Sequence, residues 1–327
     1  PIMTGLCAIP FIPPMRGVAC AWPNARGEDM NGPYDSYMHM ALEQARQSLK
    51  QGNHGFGAVI VRDGEVVAKA HDTEETTQDC TAHAEMNAIR LASKKLGKDL
   101  SGCVLVSTHE PCPMCATAIV WSKLSGVVFG YAIADAIKEG RKRIALYCDE
   151  MFARANTDIS LQHGILKEEC ALLYNRWVRK EVAKLRDASD EDFSKYNEEL
   201  AVRRLQWFRE HKDKYLDVCD SLLMAAYEFL IDKLGAKKEE MPIVEKSENK
   251  IVFHSMNFCP TLEACKILDL DTRHVCKSCN EEATDRLVKQ VHPSLRFSRN
   301  YSKLRPFSPY CEESITIVAD EMDLEEQ

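Results

Sequence analysis

The sequence predicts a layered α/β fold built on a mixed sheet. Three observations support this. Apolar residues recur at helical spacing in "DSYMHMALEQARQSLKQG", two β-rich runs flank Asp63 and Gly64 in "FGAVIVRDGEVVAKAHD", and short strands then alternate with helical segments. Alternation of that kind calls for at least one parallel strand pair, because a crossover helix returns the chain in the same direction.

In chain order, residues 1–35 are rich in proline and glycine without a sustained period and read as a tail. Met38, Ala41, Leu42, Ala45 and Leu49 mark one face of a helix that Gly52 closes. The Asp63-Gly64 pair then turns a hairpin. "AHAEMNAIRLASKKLG" reads as a helix ending at Gly97, "CVLVSTHE" as a buried strand, "CPMCATAIVWSKL" as a helix and "GVVFGYAI" as another strand. "ISLQHGILKEECALLYNRWVRKEVAKL" reads as a short strand running into one long helix. Beyond Arg186 the chain becomes strongly charged with an amphipathic helical period, and Gly235 with "AKKEEMPIVEKSENK" reads as a break or linker. The expected organisation is therefore a tail over 1–35, an α/β domain over 36–186 and a charged helical connector over 187–246. A cysteine-rich α+β domain over 247–320 and an acidic tail over 321–327 follow.

Composition narrows the partners. A formal net charge of -8 speaks against broad electrostatic binding to nucleic acid and favours a small-molecule partner. The apolar runs fall short of the roughly 20 residues a membrane-spanning helix needs. Prolines, an arginine and a tryptophan interrupt the only apolar stretch near the start, so a cytoplasmic protein without a membrane partner is expected. The fourteen cysteines, spread over a long charged chain, read as reduced thiols and metal ligands rather than a disulfide framework.

"TAHAEMNAIR" and "STHEPCPMCATAIVW" carry the chemistry. Cys112 and Cys115 stand three apart at a helix start, on neighbouring positions of one face, where unpaired amides and the positive dipole end favour thiolates. Pro111 and Pro113 fix the approach of the chain. His83 opens a second helix, and with the two thiolates makes three protein ligands for Zn²⁺, leaving a position for water. Two thiolates neutralise the ion, so its water is less acidified than under three imidazoles, and a neighbouring base gains value. Glu85 is that base: not a ligand, but the group that takes the water proton and passes it to a leaving nitrogen. "HAE" followed by "PCPMC" matches the H-x-E, P-C-x-x-C signature of the zinc deaminases.

On these residues, the region from about Tyr37 to Arg186 resembles the cytidine and deoxycytidylate deaminase superfamily, within it the branch of tRNA adenosine deaminases, guanine deaminases and small-base deaminases. "FGAVIVRDG" is similar to that branch's first hairpin, "THEPCPMCATAIVW" to its zinc helix and "GILKEECALLYNRWVRKE" to its closing helix. The resemblance implies a three-layer α/β/α fold with a five-stranded sheet whose fourth and fifth strands are parallel. It also implies hydrolytic deamination and a homodimer. Backbone around Ala58, Ala84 and Pro111 is then expected to line the pocket.

The departures bear on substrate. Asp72 stands where many members carry a base-contacting asparagine, and Gly55 where a proline often precedes the hairpin. An ionised carboxylate only accepts hydrogen bonds, so Asp72 in that place would favour guanine, isocytosine or a pterin-like amidine over adenine; capping a turn is its other reading. Trp121 is a candidate for stacking on the ring and Phe152 for a lid, each with core packing as the alternative. Arg141, Lys142 and Arg143 occupy the stretch where guanine deaminase-like members carry acidic residues; they read as a solvated basic turn or as a clamp on an acidic substituent.

In the last third, Cys259, Cys265, Cys276 and Cys279, with Cys311 beyond, form a candidate second metal set, and inert buried thiols are the alternative. This region faintly resembles the L-2-amino-thiazoline-4-carboxylic acid hydrolase-like family. The expected function is hydrolytic deamination of an amino-substituted nucleobase-like heterocycle. The alternatives are deamination of adenosine in tRNA and, in a different class, a deaminase-like ligand-binding or sensing protein with a regulatory C-terminal module.

Overall fold

Asp63 (φ 50°) and Gly64 (φ 81°) turn the chain between β1 (Gly57–Arg62) and β2 (Glu65–His71) as the sequence requires. The computed structural model describes residues 32–216 and 221–318, so most of the expected first tail and the acidic tail lie outside the described residues. β3 (Cys103–His109), β4 (Gly126–Tyr131) and β5 (Ser160–His163) complete a five-stranded sheet in the order β2-β1-β3-β4-β5. β1 pairs antiparallel with β2 and β3, whereas β3, β4 and β5 run parallel.

Strand alternation divides the core into two layers. Val59 and Val61 face the helices Asp35–Lys50, Lys167–Tyr174 and Arg176–Leu185, while Ala58 and Ile60 face Ala84–Leu96 and Pro113–Trp121. This is the expected α/β/α sandwich. At Gly57 an added Cβ would come within 1.9 Å of the Ala41 carbonyl oxygen, so a side chain there would push the first helix off the sheet.

Two expectations are corrected. The long closing helix is two helices, because Asn175 leaves helical geometry (ψ 124°) and its side chain accepts from the amides of Trp177 and Val178, capping the second. The supposed connector is structural. Its helices Asp190–His211 and Leu222–Leu234 bring Phe208, Phe229 and Leu230 into one core with Ile251, Phe253, Phe297 and Ile315. Part of its linker forms β6 (Ile243–Lys246), which joins β7 (Lys250–Ser255), β8 (Leu295–Arg299) and β9 (Cys311–Ile317) in an antiparallel sheet of order β6-β7-β9-β8. An amphipathic helix this charged needs an apolar surface to fold on, and the second sheet supplies it.

The two halves share a core. The helix Pro260–Leu268 packs on Arg176–Leu185, and Phe193, Ala264, Cys265, Ile267 and Cys279 join the cluster of the first domain's helices.

Candidate active site

Parallel strands joined by crossover helices gather functional groups at their C-terminal ends, and β3 delivers such a group. It ends at His109, and Glu110, Pro111 and Cys112 lead directly into the helix Pro113–Trp121. Cys112 is the N-cap of that helix with Pro113 at its first position; His83 is the N-cap of Ala84–Leu96. Both caps are extended (ψ 168° and 157°), which turns the side chains out of the helices toward each other.

The three donors meet. Cys112 Sγ lies 3.6 Å and Cys115 Sγ 3.5 Å from His83 Nδ1, and the two sulfurs are 3.7 Å apart. A tetrahedral ion with Zn–S of about 2.3 Å and Zn–N of about 2.0 Å needs S–S edges near about 3.8 Å and N–S edges near about 3.6 Å, so the donor set fits zinc. Among the described residues no other histidine, cysteine or acidic group of three comes together in this way.

The electrostatics suit a centre that exchanges protons for a cation. Hydrogen bonding to Cys112 pushes His83 up to about 9, and hydrogen bonding from Cys115 draws Cys112 down to about 4, while Cys115 itself is held far above the thiol range by donating to Cys112. A zinc ion held by His83, Cys112 and Cys115 would take the place of those protons. Glu85 is buried beside the trio. Its Oε1 accepts from Ser107 Oγ at 3.2 Å, its Oε2 lies 3.6 Å from Cys115 Sγ, and burial pushes its carboxyl up to about 7.

Two carboxylates that sequence reasoning passed over support the centre. Glu74 Oε2 lies 3.5 Å from His83 Nε2, the ring nitrogen turned away from the sulfurs, and so orients the imidazole. Glu110 is buried and accepts from the amides of Ile133 (2.8 Å) and Cys148 (3.0 Å), tying the end of β3 to the starts of two further helices. Only its place in "HEPC" hinted at a role; Glu74 had no signal of spacing. His109 was also passed over. Its Nδ1 donates to the Glu110 carbonyl at 2.9 Å, its ring is packed among Phe56, Tyr131 and Tyr174, its Nε2 has no partner, and burial pushes it down to about 4.

The expected ring-reading residues fare differently. Asp72 is fully buried and its carboxylate accepts from Ser48 Oγ (2.5 Å), the His54 amide (2.8 Å) and the Phe56 amide (2.9 Å); it holds the loop before β1 and has its oxygens in use there. Trp121 ends the helix that Cys112 begins, about 9 Å further along than Cys115, and is 80% exposed, so it does not stack over this centre. Phe152 packs in the core with Cys148 and Phe129 rather than forming a lid. Ala58, Ala84 and Pro111 are buried, with Ala58 paired across the sheet to Ser107. In the basic turn, Arg141 is not free in solvent: it lies over the Tyr174 ring at 5.8 Å and 3.6 Å from Glu139, and Arg179 lies over the same ring at 5.3 Å.

The second metal set is overturned. Cys265 and Cys279 are buried in the shared core, whereas Cys259, whose Sγ accepts from the Leu262 amide as a helix cap, and Cys276 line a separate cavity, so the four thiols do not converge on one point.

Three convergent N/S donors with an adjacent buried carboxylate on an α/β/α frame define a zinc-dependent hydrolase. Residues 33–131 match the family model of the cytidine and deoxycytidylate deaminase zinc-binding region. The chain is 38% identical over 159 residues to the tRNA-specific adenosine deaminase of Bacillus subtilis (strain 168), covering 48% of this chain and 96% of that protein. It is 39% identical over 109 residues to the guanine deaminase of the same organism, covering 33% of this chain and 70% of that one. A solved guanine deaminase from Nitrosomonas europaea overlays with a TM-score of 0.39 at 26% identity, covering 48% of this chain and 94% of that one. The chain belongs to the cytidine and deoxycytidylate deaminase family, whose members are zinc-dependent hydrolytic deaminases. Among the described residues no helix is long and apolar enough to cross a membrane.

Proposed function

We propose that the protein deaminates an amino-substituted nucleobase-like heterocycle, of the guanine, isocytosine or pterin class, with Glu85 as proton carrier. The observation that carries the deamination is the approach of Glu85 Oε2 to the His83, Cys112 and Cys115 trio, which would hold the zinc, and the choice of base rests on the likeness to the Bacillus subtilis guanine deaminase. When bound, the ion acidifies a water at neutral pH. Glu85 accepts the water proton and delivers it to the departing amino group, so the ring carbon gains a C–O bond, loses its C–N bond and releases ammonia. Ser107 holds Oε1 in place for both transfers, and Glu74 keeps His83 Nδ1 aimed at the sulfurs.

A second reading, adenosine in tRNA, is favoured by the extent of the match to the Bacillus subtilis tRNA-specific enzyme. With Asp72 engaged by its own loop, the argument that set adenine aside has no group to act through. The net charge of -8 supports a free small substrate over a polyanion.

Zinc-loaded protein offered free bases, nucleosides, nucleotides, pterins and tRNA in turn distinguishes these. Ammonia from a free guanine- or pterin-like base supports the first reading, and inosine appearing only in tRNA replaces it with the second. No turnover of any substrate by fully loaded protein overturns both.

A further inference from the structure

The second sheet and its helices surround a cavity of about 230 Å³ that plays no part in the deaminase centre. Its lining is divided by chemistry. Leu230, Leu234 and Leu304 give an apolar wall, and Arg204, Arg299 and Arg305 face it with Glu313 as the one acidic side chain in the lining.

The charges do not cancel. Glu313 is buried and already engaged at both oxygens, accepting from Arg299 Nε at 2.6 Å and from Ser255 Oγ at 2.6 Å. Arg204, also buried, has only neutral acceptors: Thr284 Oγ1 at 2.6 Å and Asn280, whose side-chain oxygen it shares with Arg299 Nη2. Arg305 likewise donates to the Asn257 carbonyl and to Cys311 Sγ. Three guanidiniums against one carboxylate leave two formal positive charges around the cavity. Neither Cys259 nor Cys276 offsets them, since burial holds both thiols above their ordinary range and therefore neutral.

Arg299, which lines the cavity, has a donor to spare. Arg299 Nη1 is buried with no hydrogen-bond partner. A buried guanidinium edge left unpaired is costly, and a planar anion relieves that cost with two parallel bonds. Arg204 stands beside it across Asn280.

We propose that this cavity is a binding site for a small organic carboxylate, its anionic end toward the guanidiniums of Arg299 and Arg204 and its apolar body against Leu230, Leu234 and Leu304. The apolar wall favours an organic acid over bare phosphate, whose remaining oxygens would lose their water without replacement. The neutral thiols make it a binding site rather than a nucleophilic one.

Titration calorimetry on the zinc-loaded 327-residue chain tests this with propionate, succinate and benzoate, each beside its neutral amide, and with inorganic phosphate. At least one carboxylate should saturate at one per chain, with its amide weaker by about tenfold or more. Arg299→Gln should weaken binding by a similar factor. Because that change also frees Glu313, Leu234→Trp provides an independent check: Leu234 is 41% exposed at the rim, so a larger side chain is tolerated there while it fills the cavity. It should abolish saturation with zinc content unchanged. The proposal is overturned if no carboxylate saturates, if the amides bind equally well, if phosphate binds more tightly than every carboxylate, or if Leu234→Trp leaves affinity intact.

Discussion

Glu85 and Glu74 are carboxylates on either side of one histidine, and their surroundings give them different work. Glu85 is enclosed beside Cys115 and Ser107, and proton transfer is the part proposed for it; Glu85→Ala should lower ammonia release by about 10²–10⁴-fold while metal analysis still finds one zinc per chain. Full activity in that zinc-loaded variant would remove Glu85 from the mechanism. Glu74 touches only the far nitrogen of His83, so Glu74→Gln should act on the metal instead, weakening zinc by about 10–100-fold in a chelator competition. His109 contributes to acid sensitivity. Its folded value near 4 lies below the ordinary 6.5, so as pH falls between them the unfolded chain takes a proton that the folded one refuses, and stability drops. The loss approaches roughly 3 kcal/mol by the lower end. Denaturant midpoints measured from pH 7 to 4 should fall less steeply in His109→Leu than in the parent chain.

At the scale of elements, the loop between the first helix and β1 hangs on Asp72. One buried carboxylate satisfies a hydroxyl and two amides that belong to residues 48–56. Asp72→Ala leaves those donors buried without an acceptor, at about 1–3 kcal/mol for each that water does not reach. Asp72→Asn retains one oxygen and should fall between Ala and the parent in urea unfolding; equal stability of all three would show that the loop is held by something else. The same logic explains the broken closing helix. Period alone joined Lys167–Tyr174 to Arg176–Leu185, because apolar positions continue across the break, and only the Asn175 side chain folding back onto the next two amides separates them.

For the molecule as a whole, the two halves are not independent. Phe193, Ala264, Cys265 and Ile267 complete a core they share with the first sheet and with the helices Asp35–Lys50, Lys167–Tyr174 and Arg176–Leu185. A fragment of residues 33–186 would present that apolar face to water and should melt at lower temperature and bind a hydrophobic dye more strongly than the full chain. A fragment with an unchanged melting temperature would show the second half to be dispensable for folding.

What could be read from the amino-acid order was local. The hairpin at Asp63-Gly64, the strand and helix periods of the first sheet, and the two pieces of the zinc motif, His83 with Glu85 and Cys112 with Cys115, each rest on spacing within one element or at its cap, where backbone geometry directs the side chain; that the two pieces meet is a matter of tertiary structure. The tertiary structure decided whatever depends on elements distant in sequence meeting. It placed Glu74 behind His83, occupied Asp72 with its own loop and left Trp121 at an exposed helix end. It also parted Cys265 and Cys279 from Cys259 and Cys276, and drew Arg204, Arg299 and Arg305 from three segments around one cavity. Period and motif describe which way a side chain leaves its own backbone; they carry no information on what stands opposite, and the chemistry of a carboxylate, thiol or guanidinium is set by what stands opposite.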